Sequence, residues 1–287
     1  MFWIKKNKVM KFLLRSIWRQ TFKPWVLRRR TLQYNWLMKK IKAGRILYEM
    51  PQLGHSFFMS IRSDIFKRQF IEHQYEPTEL AALTEIAEAG TGDFMDIGAN
   101  VGIFTVGIGE IFLKNGGKVL AVEPQPPAFE MLELNANIAF SKNGKENVFL
   151  HLGGLADDEG ELEFFSIPGK EEYGSFSPIV HPAVVGMEQS REKLPVLKGD
   201  RLVKEFGIKP SLIKIDTEGF EAKVLRGLRE TLEEFCPCLI FEANTTEDLT
   251  EILNVLRVFD YKIVKMSHHG VSEVLAPPGN FLAKPNM

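Results

Sequence analysis

Cysteine is scarce here. Only Cys236 and Cys238 occur among 287 residues. Side chains two apart on a strand point the same way and are poorly placed for a disulfide, so reduced thiols and a cytoplasmic setting are expected. No second Cys pair or close His completes a metal site around Cys236-Pro237-Cys238, and no metal ligand set is assigned. Long apolar runs are missing too. No stretch reaches the roughly 18 apolar residues a membrane-crossing helix needs, and the N-terminus lacks the unbroken apolar core of a signal peptide. Two phosphate-binding signatures are absent. Without Gly-x-Gly-x-x-Gly a nicotinamide-dependent dehydrogenase is disfavoured, and without Gly-x-x-x-x-Gly-Lys-Ser/Thr a nucleotide hydrolase is excluded. There are no internal repeats and no low-complexity segment.

Acidic residues are missing from one end only. Residues 1–45 hold 14 Lys and Arg and no Asp or Glu. The other 22 of the 36 basic residues meet all 37 acidic ones, a balance of −15 that the formal net charge of −1 conceals. Trp3, Trp18, Trp25 and Trp36, all four tryptophans, share the basic end. Met10, Leu13, Leu14 and Ile17 fall on one helical face, opposite Lys8, Lys11, Arg15 and Arg19. This is an amphipathic basic helix, expected to end near Pro24. Arg28-Arg29-Arg30 and Lys39-Lys40 follow. Such a segment suits the anionic inner face of a membrane, where the protein would sit peripherally. Packing on this protein's own acidic body, or on a second copy in a homo-oligomer, competes almost equally. Nucleic acid is disfavoured by the acidic body and the lack of a binding motif.

From residue 93 strands and helices alternate, the pattern of a parallel sheet. Phe94–Ile97 reads as a buried strand. Gly98 and Gly102 mark a tight turn, and a helix runs on over Val101–Leu113. Strand Val119–Glu123 leads to a helix near Ala128–Ala139, then strand Val148–Leu152. Glu161–Phe165 alternates like an edge hairpin strand. Residues 166–200, with Gly169, Gly174, Pro178 and Pro182, read as a long loop of the kind that serves as a lid, with a short strand at Leu194–Val196. Strands Leu212–Asp216 and Cys238–Glu242 follow. A helix over Leu249–Leu256, a strand over Tyr261–Met266, a His268-His269-Gly270 turn and a last strand near Phe281 complete the plan. The chain thus divides into a basic segment over 1–50, a helical lead-in over 51–92 and an α/β domain over 93–287.

Acids fall at the strand ends, where open α/β sheets bind ligands. Asp96 and the Gly98–Gly102 turn suit a cationic ligand in close approach. Glu123, 27 residues after Asp96, suits ribose hydroxyls. S-adenosylmethionine carries a sulfonium, an amino-acid tail and a ribose, and fits all three features. Asp216 and Glu218 reach the same crevice, with Glu242 as a third strand-end acid. A carboxylate there can take the proton of an attacking hydroxyl, or paired acids can bind a divalent metal. The alternative for Asp216 and Glu218 is support of the helix starting near Phe220. Lys214, alone among apolar strand neighbours, needs a partner.

Asp96-Ile97-Gly98-Ala99-Asn100-Val101-Gly102, Ala121-Val122-Glu123-Pro124 and Ile213-Lys214-Ile215-Asp216-Thr217-Glu218-Gly219, in this order, resemble the FkbM family of methyltransferases. The resemblance covers about residues 93–244, roughly half the chain. It implies a Rossmann-like class I methyltransferase sheet, mostly parallel with helices on both faces, carrying a basic helical N-terminal extension. It also implies O-methylation of a hydroxyl on a small molecule, a sugar or a glycan. Asp96, Gly98, Asn100, Glu123, Asp157 and Tyr75 are then expected to hold the cofactor. Asp157 would accept from the adenine amino group, and Tyr75 or Glu79 would close over the site. Asp216, Glu218 and Glu242 would line the acceptor side, and Gly174-Ser175-Phe176 would lie near cofactor or acceptor. The rival expectation is a non-catalytic, membrane-associated scaffold that keeps the fold and works through its basic arm.

Overall fold

The apolar runs form one sheet in the computed structural model, which describes residues 23–41, 44–141, 144–168, 170–178, 184–267 and 270–286. Strands β3 (Asp93–Ile97), β4 (Val119–Glu123), β5 (Val148–Leu152), β9 (Pro210–Ile215) and β10 (Cys238–Ala243) pair in parallel, in the order β10-β9-β3-β4-β5. Strands β13 (Gly279–Pro285), β11 (Tyr261–Ser267) and β12 (Gly270–Ser272) extend the sheet antiparallel beyond β10. From β3 the chain winds one way to β4 and β5, and later the other way from β9 to β10. The junction of β3 and β9 is therefore the topological switch point, the crevice where such sheets bind ligands.

Period-two alternation assigns each strand residue to a layer. Met95, Ile97, Ile213, Ile215, Leu239 and Phe241 bury themselves on one face. Phe94, Leu212 and Ile240 bury themselves on the other, against α3 (Pro77–Ala89) and α5 (Gly109–Lys114). Between β3 and α5 the expected single helix is two short ones, with α4 (Ile103–Gly107) preceding α5. Helix α6 (Pro126–Ala139) follows β4, opening with two prolines as suits a first turn. Helix α7 (Gly199–Phe206) precedes β9, and α8 (Glu221–Arg226), α9 (Arg229–Phe235) and α10 (Thr246–Leu256) follow it in turn. Thr245 caps α10 in a reciprocal box with Asp248.

Two expectations need correction. The short strand expected at Leu194–Val196 within the 166–200 loop is longer than that. Strand β8 (Ser190–Leu197) is eight residues long and lies between β6 (Gly154–Leu155) and β7 (Gly160–Ser166) in a separate three-stranded sheet. Its first four residues, Ser190–Lys193, are all exposed and three of them are charged, so only the apolar end of the strand was legible. Pro24 stands in the first turn of α1 (Lys23–Lys40), where a missing N–H costs nothing, and the helix expected to end near it lies outside the described residues. The lead-in is not wholly helical. Its first element is β2 (His55–Ser60), paired antiparallel with β1 (Arg45–Met50) of the preceding segment and followed by α2 (Asp64–Glu72). Phe57, Met59, Ile61, Ile65 and Phe66 pack with Val101, Ile103 and Met131. The amphipathic pattern over residues 8–19, Gly169, His181, Pro182 and the His268-His269 pair lie outside the described residues.

Candidate active site

A cavity of about 730 Å³ opens over the carboxyl ends of β3, β4, β9 and β10. Its wall includes the turn Gly98–Val101, Glu123, Lys214, Asp216, Thr217, Glu218 and Glu242. Glycine is obligatory at 98: φ is +79°, and a Cβ there would lie 1.8 Å from the Asp216 carbonyl oxygen. The amides of Gly98 and Ala99 both donate to the Val122 carbonyl at 3.0 Å, which folds the turn back onto β4. Asn100 adopts a left-handed backbone, φ 50°, held by its own side-chain oxygen, which accepts from the Val101 amide at 2.8 Å. Glu76 and Glu218, at φ 41° and 54°, are left-handed as well and line the same cavity. Three non-glycine residues in this sparsely populated region on one wall are the backbone signature of a functional site.

Glu123 lies as expected, at the end of β4 and only 5% exposed. One carboxylate oxygen accepts the Asn100 amide at 2.8 Å and the other the Gln125 amide at 2.9 Å. Burial pushes this carboxyl up to about 7, against the pull of those two amides. Each oxygen keeps a lone pair for a hydroxyl.

Asp216, Glu218 and Glu242 converge. One carboxylate oxygen from each lies within 4.8 Å of the others, a spacing a hard divalent cation can bridge. Burial, and then the neighbouring Asp216, raise both Glu218 and Glu242 above the usual carboxylate range, so these two favour their protonated forms. Asp216 has a cation of its own: Lys214 Nζ donates to its Oδ2 at 2.9 Å. Lys214 is 4% exposed, and its ammonium sits 4.4 Å from the centre of the Phe104 ring. Helix α8 is capped by no side chain, so the alternative of Asp216 as a helix cap is not realised. Glu221 braces the loop instead, accepting from the Thr217 and Gly219 amides.

Tyr75 lines the cavity, its ring 6.3 Å from that of Phe104. Glu79 also lines it and accepts from Asn280 at 2.7 Å. Gly174, Ser175 and Phe176 form part of the wall, and the Ser175 hydroxyl donates to the Glu218 carbonyl at 2.8 Å.

Two expected cofactor residues stand elsewhere. Asp96 is not on the cavity wall and is 0% exposed. Period two places it beneath α4, cross-strand from Lys214, where Oδ2 accepts from the Thr105 hydroxyl at 2.6 Å. Burial raises its carboxyl, and the nearby Lys214 partly restrains that rise. Asp157 is also off the wall, its carboxylate turned to Arg226 at 3.9 Å. Gly154 and Leu155 of the same loop do reach the cavity.

Sequence reasoning missed Asp64, Arg68, Glu76 and Glu172, which complete the wall. Burial raises Glu172 to about 7, and one of its oxygens is buried without a partner among the described residues. These residues come from α2, the residue before Pro77 and a short 3-10 turn (Glu171–Tyr173), elements with no motif to announce them. In total the wall carries nine acids, Asp64, Glu72, Glu76, Glu79, Glu123, Glu172, Asp216, Glu218 and Glu242, against Lys23, Arg68 and Lys214. Such a surface selects for positive charge.

A doubly wound sheet with an acid-lined crevice at its switch point is the architecture in which open α/β sheets place their ligand sites. The sequence profile of the Methyltransferase FkbM domain matches residues 96–263, more than half of the 287 residues. The chain belongs to the FkbM methyltransferase family. It is 27% identical over 175 residues to the hexuronic acid methyltransferase AglP of Haloferax volcanii, a match spanning 59% of this chain and 64% of that protein. The chain thus covers less than two thirds of that relative's length. Among solved structures, the methyltransferase FkbM of Methylobacillus flagellatus KT is 19% identical, with 67% of this chain and 43% of that one covered and a TM-score of 0.49. The O-methyltransferase of Bacillus cereus in complex with SAH is 13% identical, with 75% and 84% covered and a TM-score of 0.43.

Proposed function

We propose that this methyltransferase moves the methyl group of S-adenosylmethionine to a hydroxyl of a sugar or glycoconjugate. One observation carries the reading: Glu123 and the Asp216, Glu218 and Glu242 cluster open into one cavity, so a group that accepts from ribose hydroxyls and a cluster of acids for the acceptor share a single chamber. The residues fit the cofactor. Glu123 has lone pairs for ribose hydroxyls, the Gly98–Asn100 turn permits close approach, and the ionised acids of the wall complement a sulfonium. S-adenosylmethionine, when bound, supplies an electrophilic methyl on a positively charged sulfur.

The chain's own residues do the rest. Asp216 accepts the proton of the acceptor hydroxyl, with Lys214 fixing one of its oxygens and leaving the other to the cavity. Glu218 and Glu242, favouring their protonated forms, donate hydrogen bonds to neighbouring sugar hydroxyls. Positioning of the two reactants supplies most of the acceleration, with base assistance the smaller part. The relative named for hexuronic acid supports a sugar acceptor. The test is methyl transfer to uronic-acid and neutral-sugar glycans by the parent and by Asp216→Asn. Turnover should fall by about 10²–10⁴-fold in the variant, with cofactor affinity held. A fully active variant would remove Asp216 as the base, and no transfer by the folded parent to any sugar would remove the acceptor class.

A further inference from the structure

Helix α1 carries two apolar stripes, and among the described residues only one is covered. The inner stripe packs on α2: Tyr34 is 8% exposed, with its ring 6.2 Å from Phe66 and 6.1 Å from Phe70. Arg30 secures the contact, its Nη1 donating to the Ile71 carbonyl at 3.2 Å. The outer stripe is Trp25, Arg29, Leu32 and Trp36, spaced by four, three and four residues, so all four share a face. Trp25, Leu32 and Trp36 are 59%, 62% and 63% exposed, and the Arg29 guanidinium lies 5.9 Å from the Trp25 ring. From Trp25 to Trp36 the stripe runs about 16 Å. The helix carries six basic residues and no acidic one.

We propose that α1 docks on an anionic lipid bilayer through the Trp25–Leu32–Trp36 stripe. Charge names the occupant. The helix is wholly basic, whereas the acidic balance of residues 46–287 repels an anionic surface, so lipid attracts one side of the molecule and rejects the rest. Indole rings beside cationic side chains favour the headgroup zone, with the apolar body inward and the polar edge at water. Lys23, at the start of α1, lines the cavity, so docking brings the cavity mouth close to the headgroups.

The test is flotation of the full chain with vesicles of phosphatidylcholine holding about one-third phosphatidylglycerol, and with vesicles of phosphatidylcholine alone. Trp25→Ala/Trp36→Ala and Arg28→Glu/Arg29→Glu serve as variants. All four positions are exposed, and circular dichroism and urea midpoints check that each variant keeps its fold. The parent should partition onto the anionic vesicles and lose at least about tenfold of that binding on neutral ones or in about 1 M salt. Each double variant should lose about tenfold on anionic vesicles. Absent flotation, equal binding to neutral vesicles, or undiminished binding by both variants overturns the proposal. So does a dimer seen by light scattering without lipid that either variant separates, because a second copy would then be the occupant.

Discussion

Lys214→Met removes a buried cation and keeps an unbranched side chain over Phe104. In the parent the ammonium lies 2.9 Å from Asp216, with the two side chains 5% and 29% exposed. At an effective dielectric of about 20, the Coulomb attraction at that distance is about 6 kcal/mol. The desolvation of lysine itself offsets part of this, and removing one member of a buried pair typically costs about 3–5 kcal/mol. A loss of about 3–4 kcal/mol is therefore expected at pH 8. The loss should depend on pH. Burial raises the Asp96 carboxyl, and Lys214 partly restrains it; the same two influences act on Glu76, where Asp216 adds to the rise. Without Lys214 both move further up. A carboxyl whose folded value lies above its unfolded value, about 4, contributes stability below that value and loses it as pH rises through the folded one. The deficit should therefore be smaller near pH 5 than at pH 8, measured by urea unfolding at both. An equal deficit at the two pH values, or one below about 1 kcal/mol, would refute the account of Lys214 as the counter-charge of this chamber.

Gly98→Ala forces a Cβ toward the Asp216 carbonyl at a positive φ and should destabilise by about 3 kcal/mol, read from denaturant midpoints; a cost under about 1 kcal/mol would contradict the packing described. Glu123, raised to about 7 by burial, gains charge as pH rises through that value and then attracts a cation. Calorimetric affinity for S-adenosylmethionine should thus increase severalfold from about pH 6 to about pH 8, and more than that for uncharged-sulfur S-adenosylhomocysteine; identical pH profiles would count against a sulfonium in an acidic chamber. Asp157→Ala should leave cofactor affinity within about twofold, while Glu123→Ala weakens it at least about tenfold. The reverse order would restore Asp157 to the site and displace Glu123.

The parallel half of the sheet was legible because its strands are short apolar runs ending in acids. The same periodicity could have placed Asp96. It lies two residues from Phe94, and Lys214 two from Leu212, on the face that the helices cover, so the cross-strand placement of the two in one layer followed from counting. The motif at the strand end drew attention to a ligand instead. Glu123, Asp216, Glu218 and Glu242 were legible because the ends of strands at a switch point face one crevice. Glu76, Arg68 and Glu172 were not, since each reaches the cavity through long-range packing of elements that carry no local signal. Strand β8 was legible only at Leu194–Val196, because Ser190–Lys193 are exposed and mostly charged and carry no apolar alternation.

Isothermal calorimetry of the full chain with S-adenosylmethionine, S-adenosylhomocysteine and NAD tests the central claim most directly. The account expects micromolar binding of both adenosyl compounds, about −8 kcal/mol, and none of NAD. Binding of NAD alone, or of none of the three by a protein shown to be folded, would contradict it.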